Sequence, residues 1–480
     1  MKSWLDRIYE SCPVALQNAL VSLYGRRIFR QRFGPGFDSA TELLKSLERA
    51  PLDSIREYQN ERLRKIVEHA YATVPYYGRR WRSAGVGPDD IRAIDDLEKL
   101  PVLTRQEVID NREDLVSTAA DRGQLRLATT SGTTGYPVSV YWDRGVTVMN
   151  NACLWRARSW GGAGFGRPYA TLMGREIVPR RQTEPPYWRY NSTWNQLLLS
   201  SYHLDEETAP LYVDRMREAG VDMLEAYPSA AYLLARYMEM RSLTLPLRSV
   251  LTSSEPLLPV QRALIESRFE CRVMDAYGQA ERVAFASECE RHEGLHIFEG
   301  YGIVELLDDD LEPVPEGGAG QIVATGLHNM AMPLIRYATG DGAVLARERC
   351  SCGRALRLLT GITGKAEDIV VTPGGRMIPG PLLSYALKGI SGVVRSQLVQ
   401  ERPETLTVRL VVNEDFLPRD EDLIRKGLTE RLGDEVTLRF DYVSEIELSG
   451  RAKYRWIISS VPLRWGELST SNLYEGGEAD

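Results

Sequence analysis

The chain has 480 residues, 43% of them hydrophobic and 26% charged, with a net charge of −7. These are ordinary values for a globular protein of about two to four structural units. The charge is spread out rather than blocked, so no basic patch argues for nucleic acid. Six cysteines in a chain of this length do not make a disulfide framework, and a reducing cytoplasm is the expected compartment.

In chain order, the first apolar run, Val14 to Tyr24, is broken by Gln17, Asn18 and Ser22. It is too short to span a bilayer and lacks a signal-peptide cleavage pattern. Its mild amphipathicity predicts a helix packed on another domain rather than one lying on a membrane surface. Residues 38 to 85 read as helical, with apolar positions recurring at three and four, and "VPYYG" (Val74 to Gly78) is expected to end that run. Thr104 and Glu107 have capping-box spacing.

"LATTSGTTGYPVSVYWD" reads as strand, loop, strand. Its Thr/Ser/Gly run lacks the lysine of a Walker loop and is followed by Pro137. On composition it is equally a phosphate cradle, with glycines allowing close backbone approach, or a hairpin loop. From about 145 to 345, helical segments alternate with short β-rich ones such as "VDMLEAYP", "LRSVLTSSE" and "CRVMDAYG". That alternation predicts an α/β core of parallel strands, whose ligands bind beyond the strands' carboxyl ends. "TSSE" and "AYGQAE" fall at such ends. "GYGIVELLDDDLEPVPEGGAGQIVATGL" predicts a hairpin around an acidic Pro/Gly turn. Beyond about residue 366, smaller α+β units predict a separate C-terminal domain, followed by a polar, Gly-rich tail expected to be disordered.

Tyr277, Gly278 and Glu281 in "AYGQAE", Asp341 in "IRYATGDG" and Lys453 in "SGRAKYRW" are each common surface features when taken singly. Their combination and order are not. "TTSGTTGYP", "YGQAE", "YATGD", "GKAEDIV" and the late Lys453 occur in the order found in adenylate-forming enzymes, the acyl-CoA synthetase superfamily. "HAYATVPYYGRRW", "LPVLTRQEV" and "SECERHEGLHI" resemble its phenylacetate–CoA ligase branch, which includes CapK-like proteins. The resemblance covers about residues 55 to 462.

The resemblance implies ATP- and Mg²⁺-dependent activation of a small carboxylic acid as an acyl-adenylate, then transfer to a thiol, coenzyme A in most relatives. Ser131, Gly132, Thr133, Thr134 and Gly135 would cradle the β- and γ-phosphates. Glu281 would hold Mg²⁺, a hard cation that prefers carboxylate oxygen. Asp341 would accept from the ribose hydroxyls. Ser254, Glu255, Pro256 and Tyr277, with Gly278, would line the adenine slot. Lys453 would place positive charge where negative charge gathers in the transition state. Three positions depart from the pattern. Ala280 stands for the usual threonine. Lys365 stands for the hinge arginine, keeping the charge without the bidentate fork, with Glu367 or Asp368 as the hinge acid. Ala452 stands for the glycine before the lysine, with Arg451 as a competitor. The alternative acceptor is an amine or hydroxyl in polysaccharide or natural-product assembly. A non-catalytic nucleotide-binding scaffold is disfavoured by the retained Lys453, Glu281 and Asp341.

Cys289, His296, Cys350 and Cys352 offer sulfur and imidazole that suit tetrahedral Zn²⁺. Spacing alone favours free buried thiols, because Cys350 and Cys352 are separated by only one residue. The resemblance implies a structural zinc in the matching segments, with His292 as the alternative ligand. His203 is either a gate to the carboxylate pocket or a packed histidine. The aromatic stretch from Trp155 to Trp194 either walls an acyl pocket or packs as core.

The expected fold is a large α/β domain of stacked sheets and helices with a small mobile C-terminal α+β cap. The expected boundaries are a helical extension over 1–54, a core over 55–365, a cap over 366–463 swinging about residues 365 to 368, and a tail over 464–480. The expected partners are a small carboxylic acid and no nucleic acid. No transmembrane segment is expected, and the chain is expected to be a monomer or homodimer.

Overall fold

The computed structural model describes residues 4–129, 138–365, 369–374, 377–379, 383, 385–387, 390, 392–447 and 454–462. The chain forms two compact units. The first comprises Met1–Gly34, Arg158–Asp275 and Glu447–Arg455; the second comprises Pro35–Ala157, Ala276–Ile446 and Trp456–Asp480.

In the first unit the strands run in the order Arg272–Gly278 (of which residues 272–275 belong to this unit), Ser249–Ser253, Met223–Ala226, Tyr169–Met173, Gln196–Ser200 and Trp188–Asn191. Tyr169–Met173 lies parallel to Gln196–Ser200 and to Met223–Ala226, which is in turn parallel to Ser249–Ser253. Parallel neighbours need crossovers, and the helices Ala209–Glu218, Pro228–Met240 and Pro259–Phe269 supply them. The last two begin with proline at the first helical turn, where its missing N–H costs nothing. Trp188–Asn191 is antiparallel to Gln196–Ser200 and closes the order at one edge.

The alternation expected to continue to 345 stops at the second unit, where the strands pair antiparallel. Their order is Gly302–Leu307, Ala319–Gly326, Tyr337–Leu345, Leu358–Lys365, Leu295–Ile297 and Phe285–Glu288, which pairs with Ala276–Gly278. The connections are too short for helical crossovers, so hairpins result. The acidic Pro/Gly turn lies between Gly302–Leu307 and Ala319–Gly326, as expected. Beneath the sheet, the helices Leu52–Thr73 and Pro75–Ser83 bury Leu63, Ile66, Val67, Tyr77 and Trp81 against Ile303, Ile322 and Tyr337. The helix Leu52–Thr73 ends at Val74, where "VPYYG" begins, and Pro75 at once starts a new helix, because its fixed φ suits a first turn and Tyr77 and Trp81 are then both buried. The C-terminal α+β pattern is a four-stranded sheet, ordered Thr437–Tyr442, Thr405–Val412, Val393–Arg402 and Ile457–Ser459, with the helix Pro418–Leu432.

Thr104 caps the helix Arg105–Asp110. Its Oγ1 accepts from Glu107 N at 3.2 Å, and Glu107 Oε2 accepts from Thr104 N at 2.8 Å. The base of the Thr/Ser/Gly loop is the antiparallel pair Arg126–Thr129 and Ser139–Trp142. Asp143, directly after it, accepts from Val146 N at 2.9 Å, Met330 N at 2.7 Å and Ala331 N at 3.2 Å. A carboxylate with three backbone donors is a strong local clamp. Asp143→Ala is expected to destabilise the protein by about 3 kcal/mol, read as a lower urea midpoint at unchanged slope.

Candidate active site

The expected nucleotide-site residues fall in both units. In the first, the strand Ser249–Ser253 ends at Ser254, whose φ of 74° is left-handed. This sharp turn at a parallel strand's carboxyl end lifts Glu255 out of the sheet. The Glu255 carboxylate accepts from Ser229 N at 3.1 Å and from Tyr454 N at 2.8 Å. Ser229 lies at the start of the helix Pro228–Met240, where free N–H groups favour an anion. Tyr454 is the residue after Lys453. Tyr454 is therefore tied to the expected adenine turn, 199 residues away in sequence. Ser254 and Pro256 are exposed.

In the second unit, Tyr277 OH donates to Asp341 Oδ2 at 2.8 Å across 64 residues of sequence. Asp341 N donates to Thr339 Oγ1 at 3.1 Å, fixing the turn. The strand register sets Lys365 opposite Asp341. Burial and then the Asp341 charge push the Tyr277 hydroxyl well above its ordinary pKa, so it remains a donor. Gly278 is exposed at the strand end.

Glu281 is only 4% exposed. Its Oε1 accepts from Tyr337 OH at 2.9 Å and lies 3.7 Å from Arg105 Nη1. Burial raises its pKa above the ordinary value, although Tyr337 opposes the shift. The chain around it is braced from outside. Trp142 Nε1 donates to Ala280 O at 2.8 Å, and the Arg282 guanidinium lies 3.4 Å from the centre of the Trp142 ring. Arg282 itself has a φ of 58° and donates to Thr147 Oγ1 at 3.0 Å. Tyr337, Arg105, Trp142 and Arg282 were not among the expected site residues. Two of them had a visible signal: Tyr337 begins "YATGD" and Arg105 lies in "LPVLTRQEV".

Ser131, Gly132, Thr133, Thr134 and Gly135 lie outside the described residues, as do Glu367, Asp368, Arg451, Ala452, Lys453 and the tail beyond 462. The strands that flank the loop are described. Thr129 Oγ1 and Ser139 Oγ are 3.0 Å apart at its base.

The cysteine set comes together in the second unit. One ligand atom from each of Cys289, His296, Cys350 and Cys352 lies within 4.8 Å of the other three. Cys289 Sγ is 3.6 Å from Cys350 Sγ, and Cys352 Sγ is 3.4 Å from His296 Nε2. A disulfide needs about 2.05 Å, whereas a tetrahedron with about 2.3 Å metal–sulfur bonds has edges of about 3.8 Å. Burial lowers the His296 pKa to about 4, leaving a neutral imidazole. His292 points elsewhere, with its Nδ1 3.4 Å from Glu288 Oε2. Ser351 N and Oγ both donate to Glu293, which pins the loop between the two thiols.

His203 is packed. It stacks on Tyr187 with ring centroids 5.1 Å apart, and its Nδ1 is 2.7 Å from Ser200 Oγ. Trp194 packs edge-on to Phe29 and Phe33, and Trp188 to Tyr212. These members of the aromatic stretch serve packing.

Residues 370–460 match the family model of the CapK C-terminal domain. Protein CapK of Staphylococcus aureus is 24% identical over 464 residues, covering 95% of this chain and all of CapK. Phenylacetate-coenzyme A ligase of Pseudomonas putida is 28% identical over 376 residues, covering 73% of this chain and 80% of the ligase. Among solved structures, 2-hydroxyisobutyryl-CoA ligase in its postadenylation state superposes with a TM-score of 0.67 at 18% identity. That match covers 87% of this chain and 92% of the ligase.

Proposed function

We propose that this chain, whose homologues are CapK and the phenylacetate-coenzyme A ligases and whose fold is that of the adenylate-forming acyl-CoA ligases, is an AMP-forming carboxylate ligase. It joins a carboxylic acid to the α-phosphate of ATP with release of pyrophosphate. The acyl group then passes to the thiol of coenzyme A with release of AMP. The observation that carries this reading is the buried carboxylate of Glu281, held by Tyr337, four residues before the Asp341 that pairs with Tyr277.

Each group has a physical task. The Ser131–Gly135 loop offers N–H and hydroxyl donors to the terminal phosphates. Asp341 accepts from the ribose hydroxyls, and Tyr277 OH fixes its orientation. Ser254, Glu255 and Pro256 border the base. Glu281 is the residue to hold Mg²⁺, since a desolvated carboxylate oxygen suits a hard cation. Bound there, Mg²⁺ would neutralise phosphate charge. Lys453 bridges the substrate carboxylate and the α-phosphate, stabilising charge that develops only in the transition state. Residues 366–463 would act as a cap that turns about residues 365 to 368 between the two half-reactions, a known gating device.

The test is pyrophosphate release from ATP, Mg²⁺ and a panel of carboxylic acids, with and without coenzyme A. Pyrophosphate release coupled to consumption of the thiol supports the ligase. Release without that consumption supports transfer to an amine or hydroxyl. No release with any acid refutes adenylation.

Cys289, His296, Cys350 and Cys352 form a closed set of four donors for structural Zn²⁺. They join the strands Phe285–Glu288 and Leu295–Ile297 to the loop before Leu358–Lys365. Metal analysis of the unmodified chain is expected to find zinc, and Cys350→Ser with Cys352→Ser is expected to remove it. The loss amounts to about 4 kcal/mol of stability where free zinc is about 1,000 times its Kd. Unchanged zinc content rejects these ligands.

A further inference from the structure

The helix Val14–Arg32 buries a mixed face. Gln17, Asn18 and Ser22 face the first unit's sheet, Gly25 and Ile28 are buried with Gln17, and Leu16, Leu20 and Leu23 face outward. Asn18 Oδ1 accepts from Tyr190 N at 2.9 Å, and Ser22 Oγ accepts from Ser192 N at 3.1 Å. Trp194 Nε1 donates to Gly25 O at 3.0 Å, and Arg189 donates to buried Gln17. The cause is the strand Trp188–Asn191, which ends the sheet order. An edge strand leaves backbone groups needing partners, and the polar side of this helix provides them. Contact is close, since a Cβ on Gly25 would lie 2.6 Å from Asn191.

The consequence is an uncovered apolar stripe. Leu16, Leu20, Leu23 and Tyr24 recur at helical spacing, and Leu23 and Tyr24 are 66% and 61% exposed. The same face continues into Arg26, Arg27 and Arg30, all exposed. The helix carries no acidic residue, in a chain whose net charge is −7. Leucines beside a block of arginines on one helix face match the boundary of an anionic bilayer, where acyl chains take the apolar side chains and headgroups take the guanidinium groups. A second copy of the chain fits less well, because it would double the arginines without adding a carboxylate from this helix. Among the described residues no helix is long and apolar enough to cross a membrane, so the contact is with the surface.

We infer that the outward face of Val14–Arg32 is a docking surface for an anionic lipid bilayer. The helix lies in the headgroup plane with Leu16, Leu20 and Leu23 inserted.

The test is sedimentation of the full chain with vesicles of phosphatidylcholine containing about one-third phosphatidylglycerol, against vesicles of phosphatidylcholine alone. The full chain is expected to pellet with the anionic vesicles and to be released by salt. Arg26→Gln, Arg27→Gln and Arg30→Gln together lower partitioning on the order of 100-fold. Leu16→Gln, Leu20→Gln and Leu23→Gln together lower it by at least about tenfold. All six side chains are exposed, so thermal unfolding is expected to be unchanged in both variants. Failure of the unmodified chain to pellet with anionic vesicles overturns the inference. So does binding that survives both sets of substitutions. A dimer in sedimentation velocity that the leucine variant dissolves, without vesicle binding, assigns the face to a second copy and overturns it equally.

Discussion

Lys453→Ala is expected to lower acid-dependent pyrophosphate release by about 10²- to 10³-fold. The lysine is the one cation that the proposed chemistry places between the carboxylate and the α-phosphate, where charge builds only in the transition state. The substitution should therefore act on kcat and leave the KM for ATP nearly unchanged. Thioester formation from preformed acyl-adenylate and coenzyme A is expected to fall much less, because that half-reaction does not need the lysine. Arg451→Ala serves as the comparison and should cost less than about tenfold. The reverse ranking would transfer the role to Arg451.

Glu281→Gln carries the second large effect, and its two parts have opposite signs. Adenylation is expected to fall by about 100-fold or more, because an amide cannot replace the anionic oxygen proposed to hold Mg²⁺. Stability without added divalent cation is expected to rise by about 1 kcal/mol, as for other residues kept charged for function. The sign follows from linkage. Burial raises the folded pKa of Glu281 above its ordinary 4.5, so the folded state binds the proton more tightly than the unfolded chain does. The contribution to stability is then full below about pH 4.5 and is lost as pH rises through the raised folded pKa. The glutamine variant should lack that part of the pH dependence in chemical denaturation. A variant that is less stable at neutral pH would show instead that the Tyr337 bond and Arg105 outweigh desolvation.

Much of this architecture was legible because it is encoded locally. The capping box at Thr104 needs only four consecutive residues. The hairpin around "DDDLEPVPEGG" announces itself in its turn residues, and strands such as Met223–Ala226 in short apolar runs. The hairpin base around the Thr/Ser/Gly loop followed from period-two alternation in "VSVYW". The new helix at Pro75 is less legible, because proline follows helix ends and also begins helices; only the burial of Tyr77 and Trp81 selects the second meaning. Parallel and antiparallel strands have the same apolar pattern, so the change of pairing after Asp275 was not visible. Tyr337 and Arg105 lie in motifs that were visible, but their contact with Glu281 was not. Their role is to face Glu281, and no local pattern records which distant side chain a hydroxyl or guanidinium will meet.

The sequence by itself determined the chemical inventory: a Thr/Ser/Gly run, an ordered series of acids, a late lysine, and three cysteines with two candidate histidines. The tertiary structure decided among the alternatives that inventory left open. It brought His296 rather than His292 to the thiols, because His296 lies on the strand Leu295–Ile297 paired with Leu358–Lys365. It turned Gln17, Asn18 and Ser22 of Val14–Arg32 toward the sheet and left Leu16, Leu20 and Leu23 outside, because an edge strand needed hydrogen-bond partners. Turns, caps and periodicity are fixed within a few residues of chain. The partner of a buried charge, the fourth ligand of a cluster and the outward face of a helix depend on contacts that exist only after segments far apart in sequence have packed together.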